Sequence, residues 1–147
     1  MRLSRFTDYS LRVLIYLGQN DQDRVTINQI SEEYDISKNH LMKVVSNLTR
    51  LKFVSAQRGP GGGIRLNHKP VEISLSDVIR NTEKHLGSID AANPDDQHEF
   101  EADNRLKSYL HKALQAYLEA LGRFTLEDVL TSQADSVSLL NLEEEAA

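Results

Sequence analysis

The chain has 147 residues, a size that suits one small domain plus an element for assembly. It contains no cysteine, which excludes disulfides, thiolate metal sites and thiol redox chemistry. No stretch approaches the roughly 20 apolar residues needed to cross a bilayer, and the first residues do not have the pattern of a signal peptide. We therefore expect a cytoplasmic protein with no membrane partner.

The charge of the chain is divided unevenly. The net charge of −5 is unusual for a protein that binds nucleic acid. Residues 1–70, however, carry eleven Lys or Arg against six acids, a net +5, and the other residues carry six against sixteen, a net −10. A basic half joined to an acidic half indicates a nucleic-acid-binding domain with a separate part that faces away from it. Charge alone leaves open a chance fluctuation on a solvated surface.

The first predicted helix lies between Thr7 and Leu17, where apolar residues recur at helical spacing. The side-chain oxygen of Thr7 or Asp8 is expected to cap its start by accepting from a free backbone N–H. Gly18 and the polar residues that follow it are expected to end the helix in a loop.

Two short helices separated by a turn are predicted next. Thr26 is expected to cap the first helix and Ser37 the second, in which apolar residues recur from Leu41 to Leu51. The turn at residues 34–36 is expected to bury Ile36. This order is a helix-turn-helix, although any small helical domain can show the same spacing.

A hairpin is predicted directly after this unit. Residues 53–58 alternate as in a strand, Gly59 to Gly63 with Pro60 exclude a helix, and residues 64–66 return as a strand. A hairpin in this position is the wing of a winged helix, and its glycines allow close approach to a phosphate backbone. A plain surface hairpin is the alternative. A nucleotide-phosphate loop is disfavoured because no helix begins after the glycines.

The rest of the chain is predicted to serve assembly. Residues 71–80 begin extended and become helical, with Ser74 or Ser76 as the cap, and residues 125–130 form a short capped helix. Between them lies a helix at residues 105–121 whose apolar stripe needs a partner. A second copy of the chain is the preferred partner, and folding back onto its own domain is the alternative. The predicted interface residues are Leu106, Leu110, Leu114, Tyr117, Leu118 and Leu121.

The predicted fold is therefore mainly α with a small β-hairpin. It comprises a winged helix-turn-helix at residues 1–80, an acidic sensor-like loop at 81–104, a dimerisation helix and short C-terminal helix at 105–130, and a tail at 131–147. The acidic loop joins the DNA-binding part to the dimerisation helix, so a signal is expected to act there.

Three segments of the sequence resemble the winged-helix transcription regulator family of NsrR and IscR, closest to the NsrR branch. They are residues 6–12 (FTDYSLR), 37–44 (SKNHLMKV) and 58–66 (RGPGGGIRL). Residues 105–107 and 124–128 resemble the C-terminal region of the same family. The resemblance implies a homodimeric, DNA-binding regulator, and we expect a repressor of a palindromic operator.

One departure from the family concerns its iron–sulfur cluster. Members that sense through a cluster carry three closely spaced cysteines, and the resemblance puts those positions near Asn93, His98 and Asn104. Two amides and an imidazole do not replace three thiolates as cluster ligands. We therefore expect no cofactor. Asp8 falls where some relatives have a non-cysteine ligand, but a capping role is sufficient for it.

The predicted DNA contacts lie on the second helix of the helix-turn-helix, on the wing and near the N-terminus. N-terminal residues of a recognition helix contact base edges, whereas arginines and glycine N–H groups of a wing suit phosphate or the minor groove. The candidates are Ser37, Lys38, Asn39, His40, Lys43, Arg58, Gly61, Gly62, Gly63, Arg65, Arg2 and Arg5, with Arg12 as a further backbone contact.

Two other functions remain open at this point. A winged helix of the same charge also suits a protein–protein interaction module that binds an acidic partner. A regulator that senses a metal through His85, His98, Asp8 or Glu101 is also conceivable, although the spacing has no motif. An enzyme is not expected, because the sequence shows no nucleophile–base pairing and no cofactor loop.

Overall fold

The computed structural model describes residues 2–84, residue 86 and residues 104–131. Within these residues the helices are α1 (Arg5–Gln19), α2 (Ile27–Tyr34), α3 (Lys38–Arg50), α4 (Leu75–Thr82) and α5 (Asn104–Leu121). The strands are β1 (Val54–Gln57) and β2 (Gly63–Leu66), and a 3₁₀ turn covers Pro70–Glu72. Residues 126–131 are also helical. The predicted class, mainly α with one hairpin, is confirmed.

The start of α1 differs from the prediction. The cap is Ser4, not Thr7 or Asp8: the Ser4 Oγ accepts from the Thr7 backbone N–H at 3.2 Å. Glu83 supports the same helix end, since its carboxylate oxygens accept from the Ser4 backbone N–H at 3.0 and 3.1 Å and from the Thr7 hydroxyl at 2.8 Å. A carboxylate is stabilised there because the N-terminal end of a helix carries partial positive charge.

The helix-turn-helix forms from α2 and α3 as predicted. Thr26 and Gln29 cap α2 reciprocally, each side chain bonding to the other residue's backbone N–H. Asp35 then adopts a left-handed conformation with φ 51°, which reverses the chain and buries Ile36. Ser37 caps α3, accepting from the His40 backbone N–H at 3.3 Å.

The end of α3 is a Schellman motif built on a lysine. Lys52 has φ 64°, a left-handed conformation that glycine adopts at lower cost. Its backbone N–H donates to the Thr49 carbonyl at 3.0 Å, and the N–H of Phe53 donates to the Leu48 carbonyl at 3.0 Å. This turn directs the chain from the recognition helix into the wing.

The wing is an antiparallel pair of β1 and β2 in which Val54 faces Leu66 and Gln57 faces Gly63. Val25 extends it as a third, one-residue strand: its backbone N–H donates to the Ile64 carbonyl at 2.9 Å and its carbonyl accepts from Ile64 at 2.7 Å. These bonds attach the wing to the segment before α2. No sequence pattern indicates this bridge, because a one-residue strand has no periodicity.

One hydrophobic core unites the N-terminal helices, the wing and the C-terminal segment. Leu126 is fully buried in this core together with residues such as Leu14, Leu41 and Val78. Two backbone bonds fix the segment, from the Leu75 N–H to the Phe124 carbonyl at 3.1 Å and from the Leu126 N–H to the Ile73 carbonyl at 2.9 Å.

The hydrophobic core therefore extends across a predicted domain boundary. Leu126 belongs to the core of the winged helix, and Leu130 packs against that core close to Gly18. The short C-terminal helix thus packs into the core of the winged helix, whereas the predicted domains group it with the helix at residues 105–121. The predicted cap of α4 is in place at Ser74, but its hydroxyl makes no capping bond.

The helix α5 changes character along its length. Its C-terminal half packs on α4 and buries Leu118, which is 3% exposed, whereas Leu106, Tyr109 and Leu110 near its start are exposed. None of the helices in the described ranges has the length and apolar character needed to span a membrane. The acidic loop and the tail fall almost entirely outside the described residues.

Candidate nucleic-acid interface

The recognition helix α3 separates an apolar face from a polar one. Leu41, Val44, Val45 and Leu48 are buried against the rest of the domain. At about 100° per residue, the centre of the opposite face falls on Asn39, Lys43, Ser46 and Arg50. The helix carries three basic residues and no acid, so this exposed face is positively charged.

Five predicted base contacts lie at the start of α3, and they differ in what they can do. Lys38, Asn39 and Lys43 are exposed, with Asn39 and Lys43 near the centre of the polar face. The Ser37 oxygen accepts from the His40 backbone N–H as a helix cap, which fixes the direction of the side chain and leaves its proton free to donate to DNA. His40 lies at the edge of the face toward α1, with its ring 6.0 Å from that of Tyr9.

Sequence reasoning missed the residues that continue this face toward the C-terminal end of α3. A shallow groove there is lined by Asn39, Met42, Lys43, Ser46, Asn47 and Arg50. Asn47 Oδ1 accepts from Arg50 Nη2 at 2.7 Å, which holds the guanidinium along the helix. The sequence does contain a pattern that indicates them, because positions 39, 43, 46 and 50 follow the spacing of one helical face.

The wing arginines flank an exposed tip. Arg65 is exposed on β2 opposite Ser55, and Arg58 is exposed directly after β1. Both guanidinium groups are exposed, and their contact with phosphate or the minor groove stays a prediction.

The wing glycines serve the backbone in different ways. A Cβ on Gly62 would lie 2.4 Å from the Gln57 carbonyl oxygen, and one on Gly63 would lie 2.8 Å from that of Val25. Gly61 has φ +70° and open space around it. The three predicted contact glycines are therefore not equivalent: Gly62 and Gly63 are required by the fold of the wing, and Gly61 lies at its free tip.

The N-terminal arginines differ in the contacts that they make. Arg2 and Arg5 are exposed before and at the start of α1. Arg12 instead pairs with Asp8, from its Nε to Oδ2 at 3.0 Å, and lies 5.5 Å from the centre of the Tyr34 ring. Only the Nε of Arg12 is used by Asp8, so its terminal nitrogens can still donate, but the ion pair and the Tyr34 ring restrict where they can reach; Arg2 and Arg5 make no such contact in the described residues.

Tyr34 forms part of a small aromatic cluster beside this ion pair. Its ring meets that of Tyr16 edge to face with centres 6.0 Å apart. Burial raises the pKa of Tyr34 above its usual value of 10.0, the charge of Glu33 adds to this, and Arg12 opposes it. The phenol therefore stays neutral at physiological pH. The contribution of the neutral phenol to the free energy of unfolding is lost only as the pH rises above about 10.

The predicted dimer residues differ in their exposure. Leu106 and Leu110 are exposed, and Leu114, Tyr117 and Leu121 are partly exposed. Leu118 is buried within its own chain, where α5 meets the domain, and is therefore not accessible to a second copy in this structure. Tyr109, which is 62% exposed, lies on the exposed part of the helix and was missed.

The suggested metal ligands are mostly outside the described residues. This applies to His85, His98 and Glu101 and to the cluster position Asn93, while Asn104 is the first residue of α5. Asp8 is the partner of Arg12. In the part of the chain that the structure describes, no three His, Cys, Asp or Glu side chains are grouped so as to bind a metal ion.

An exposed, positively charged helix of a helix-turn-helix, followed by a hairpin with arginines at its tip, defines a winged-helix DNA-binding protein. The sequence matches the family Rrf2, described as "Iron-dependent Transcriptional regulator", over residues 3–132. The chain belongs to the Rrf2 family of transcriptional regulators. It is therefore a DNA-binding regulator and not an enzyme.

Individual relatives agree with this assignment. The chain is 43% identical to the HTH-type transcriptional regulator NsrR of Bacillus licheniformis, over 96% of this chain and all of that one. It is 40% identical to NsrR of Bacillus subtilis, over 98% of this chain and all of that one. Among solved structures it superposes on T. potens IscR with a TM-score of 0.73 at 23% identity, covering 92% of this chain and 90% of the other. This last likeness concerns the fold.

The family description names iron, and the residues present do not fit a cysteine-ligated iron site. The chain has no cysteine, so it lacks the thiolates that hold iron–sulfur clusters in proteins.

Proposed function

We propose that the protein is a repressor that binds a palindromic operator sequence-specifically as a homodimer, in the cytoplasm and without an iron–sulfur cluster. Sequence-specific binding is supported by the polar face of α3. That face presents an amide and two cations, Asn39, Lys43 and Arg50, of the kinds that pair with adenine, guanine and phosphate.

The proposal of a dimer rests on the exposed apolar residues near the start of α5. Leu106 is 39% exposed, Leu110 42% and Tyr109 62%, all within the first two turns. Three large apolar side chains so close together are unfavourable in water and mark an interaction site. Since α5 is anchored to the winged helix through its other end, pairing two copies of α5 would hold two recognition helices in a fixed relation.

Symmetry connects this dimer to the operator. Two identical chains related by a twofold axis present two identical recognition helices, so the DNA they fit best is itself a palindrome. The half-sites would lie one helical turn of DNA, about 34–36 Å, or a multiple of it apart. A dimer that covers promoter DNA excludes RNA polymerase, which makes repression the simplest regulatory outcome.

The proposal is tested with the full chain and a random-sequence duplex library. Repeated selection is expected to yield one palindromic sequence, bound by two chains per duplex in analytical ultracentrifugation. In transcription in vitro, the protein is expected to lower output from a promoter that contains that sequence. Selection of no consensus, or binding of one chain per duplex, would contradict the proposal.

The dimer is tested separately with a charge on α5. Leu110→Asp is expected to give a monomer with an intact circular dichroism spectrum and weaker operator binding. Ser108→Asp is the matched control, because Ser108 is also exposed but lies about 200° around the helix from Leu110. The proposal fails if Leu110→Asp leaves the dimer intact.

The absence of a cluster has its own measurement. Protein purified without oxygen is expected to contain no stoichiometric iron or acid-labile sulfide. Finding both would overturn this part of the proposal and leave operator binding unaffected.

A further inference from the structure

Met42 is an apolar side chain on the exposed surface of the recognition helix. It is 50% exposed. The core contacts of α3 are made by Leu41, Val44, Val45 and Leu48, which are all buried, so the fold does not need an apolar residue at position 42. Helical geometry puts Met42 on the flank of the polar face opposite to His40.

The surroundings of Met42 are otherwise polar. It lines the groove whose other members are two amides, a hydroxyl and two cations, contributed by Asn39, Lys43, Ser46, Asn47 and Arg50. Single exposed apolar residues are common on protein surfaces and need no explanation by themselves. Here, however, the residue lies among side chains suited to DNA, on the element that enters the major groove.

The major groove offers one apolar group to such a side chain. Its base edges present hydrogen-bond donors and acceptors, and thymine alone among the four bases adds a C5-methyl group. Methionine makes no directional hydrogen bond of consequence, but its flexible, polarisable thioether adapts to an apolar surface. A half-exposed methionine therefore favours thymine over cytosine, which lacks the methyl group.

We infer that Met42 is a specificity-determining residue that contacts the C5-methyl group of a thymine in each half of the operator. The inference rests on the proposed function, since it assumes that α3 occupies the major groove. Asn39 lies three residues before Met42, about 4.5 Å along the helix axis, so the thymine is expected close to the base pair that Asn39 contacts.

The test uses the duplex obtained by selection with the full chain. Each thymine is replaced in turn by deoxyuridine, which removes only the methyl group, and the Kd is measured by fluorescence anisotropy. For the wild-type protein, replacing one thymine per half-site is expected to raise the Kd about four-fold per half-site. This corresponds to the loss of about 0.8 kcal/mol for one apolar carbon group returned to water.

Variants of Met42 connect this effect to the residue. In Met42→Ala the affinities for the thymine and uracil duplexes are expected to become equal, and in Met42→Leu the difference should persist. Val71→Ala is the matched control, because Val71 is also 50% exposed but lies on the 3₁₀ turn outside α3. It should retain the full four-fold difference per half-site.

The possible results separate this inference from the function on which it rests. If a consensus is selected but contains no thymine whose methyl group matters, or if Met42→Ala keeps the wild-type difference, the inference is wrong and operator binding stands. If no consensus is selected at all, sequence-specific binding itself is wrong, and the role of Met42 falls with it.

Discussion

Single residues on the DNA-binding surface have roles that their chemical type alone does not reveal. Ser37 and Lys38 are neighbours, yet the hydroxyl oxygen of Ser37 caps α3 while the cation of Lys38 extends into solvent. Arg12 and Arg5 carry the same charge, but Arg12 is held by Asp8 and Tyr34. Only contacts between side chains distinguish such pairs. The sequence therefore identifies all of these residues as candidate DNA contacts but does not show which of them other groups already bind.

The left-handed backbone conformation of Lys52 has a steric cost that a substitution can remove. Lys52→Gly is expected to raise the free energy of unfolding by about 0.5–1 kcal/mol, because glycine adopts the left-handed φ of 64° without the steric cost that a Cβ imposes. Urea unfolding at a fixed protein concentration measures the change. Lys69→Gly serves as the control: Lys69 has an ordinary φ of −65°, so glycine there should destabilise the protein.

Two exposed cations are expected to contribute directly to DNA affinity. Lys43→Ala and Arg58→Ala should each weaken operator binding by about 1–3 kcal/mol, and a phosphate contact should also reduce the salt dependence of the Kd. Arg123→Ala removes an exposed cation beyond α5 and should change neither quantity appreciably. Equal effects of all three substitutions would indicate a general charge effect instead of specific contacts.

At the scale of the element, local patterns predicted more than distant contacts did. The helices of the helix-turn-helix follow from apolar spacing and from capping residues a few positions away, such as Thr26 and Ser37. The wing follows from alternation and glycine. The bridge at Val25, the Glu83 carboxylate at the start of α1 and the burial of Leu126 depend on residues far apart in the sequence. No local pattern encodes them.

The wing tip is expected to tolerate substitution at one glycine and not at another. Gly62→Ala should cost about 1–3 kcal/mol of stability and weaken DNA binding, because its Cβ would collide with the carbonyl oxygens of Gln57 and Gly59. Gly61→Asn should be nearly neutral for stability, since asparagine accepts the left-handed φ of +70° and the surrounding space is open. Thermal unfolding and anisotropy titrations would compare them, and equal stability of the two variants would contradict this account.

At the scale of the whole molecule, the DNA-binding domain is assembled from both ends of the described chain. Leu126→Ala is expected to destabilise the protein by about 2–5 kcal/mol, because it leaves a cavity among the core residues of the N-terminal helices. Phe124→Ala, at a side chain that is 52% exposed, should cost much less. A small effect of Leu126→Ala in denaturant titrations would mean that the C-terminal segment is dispensable for the core.

The buried position of Leu126 also sets the order in which a growing chain can finish folding. Helices α1 to α4 leave the ribosome first, but the side chain that completes their core is made about 44 residues after the end of α4. Contacts at such separations form late, since the intervening chain must first be ordered. A chain whose synthesis stops early would therefore lack a finished DNA-binding domain, so that interrupted translation yields few fragments able to occupy an operator.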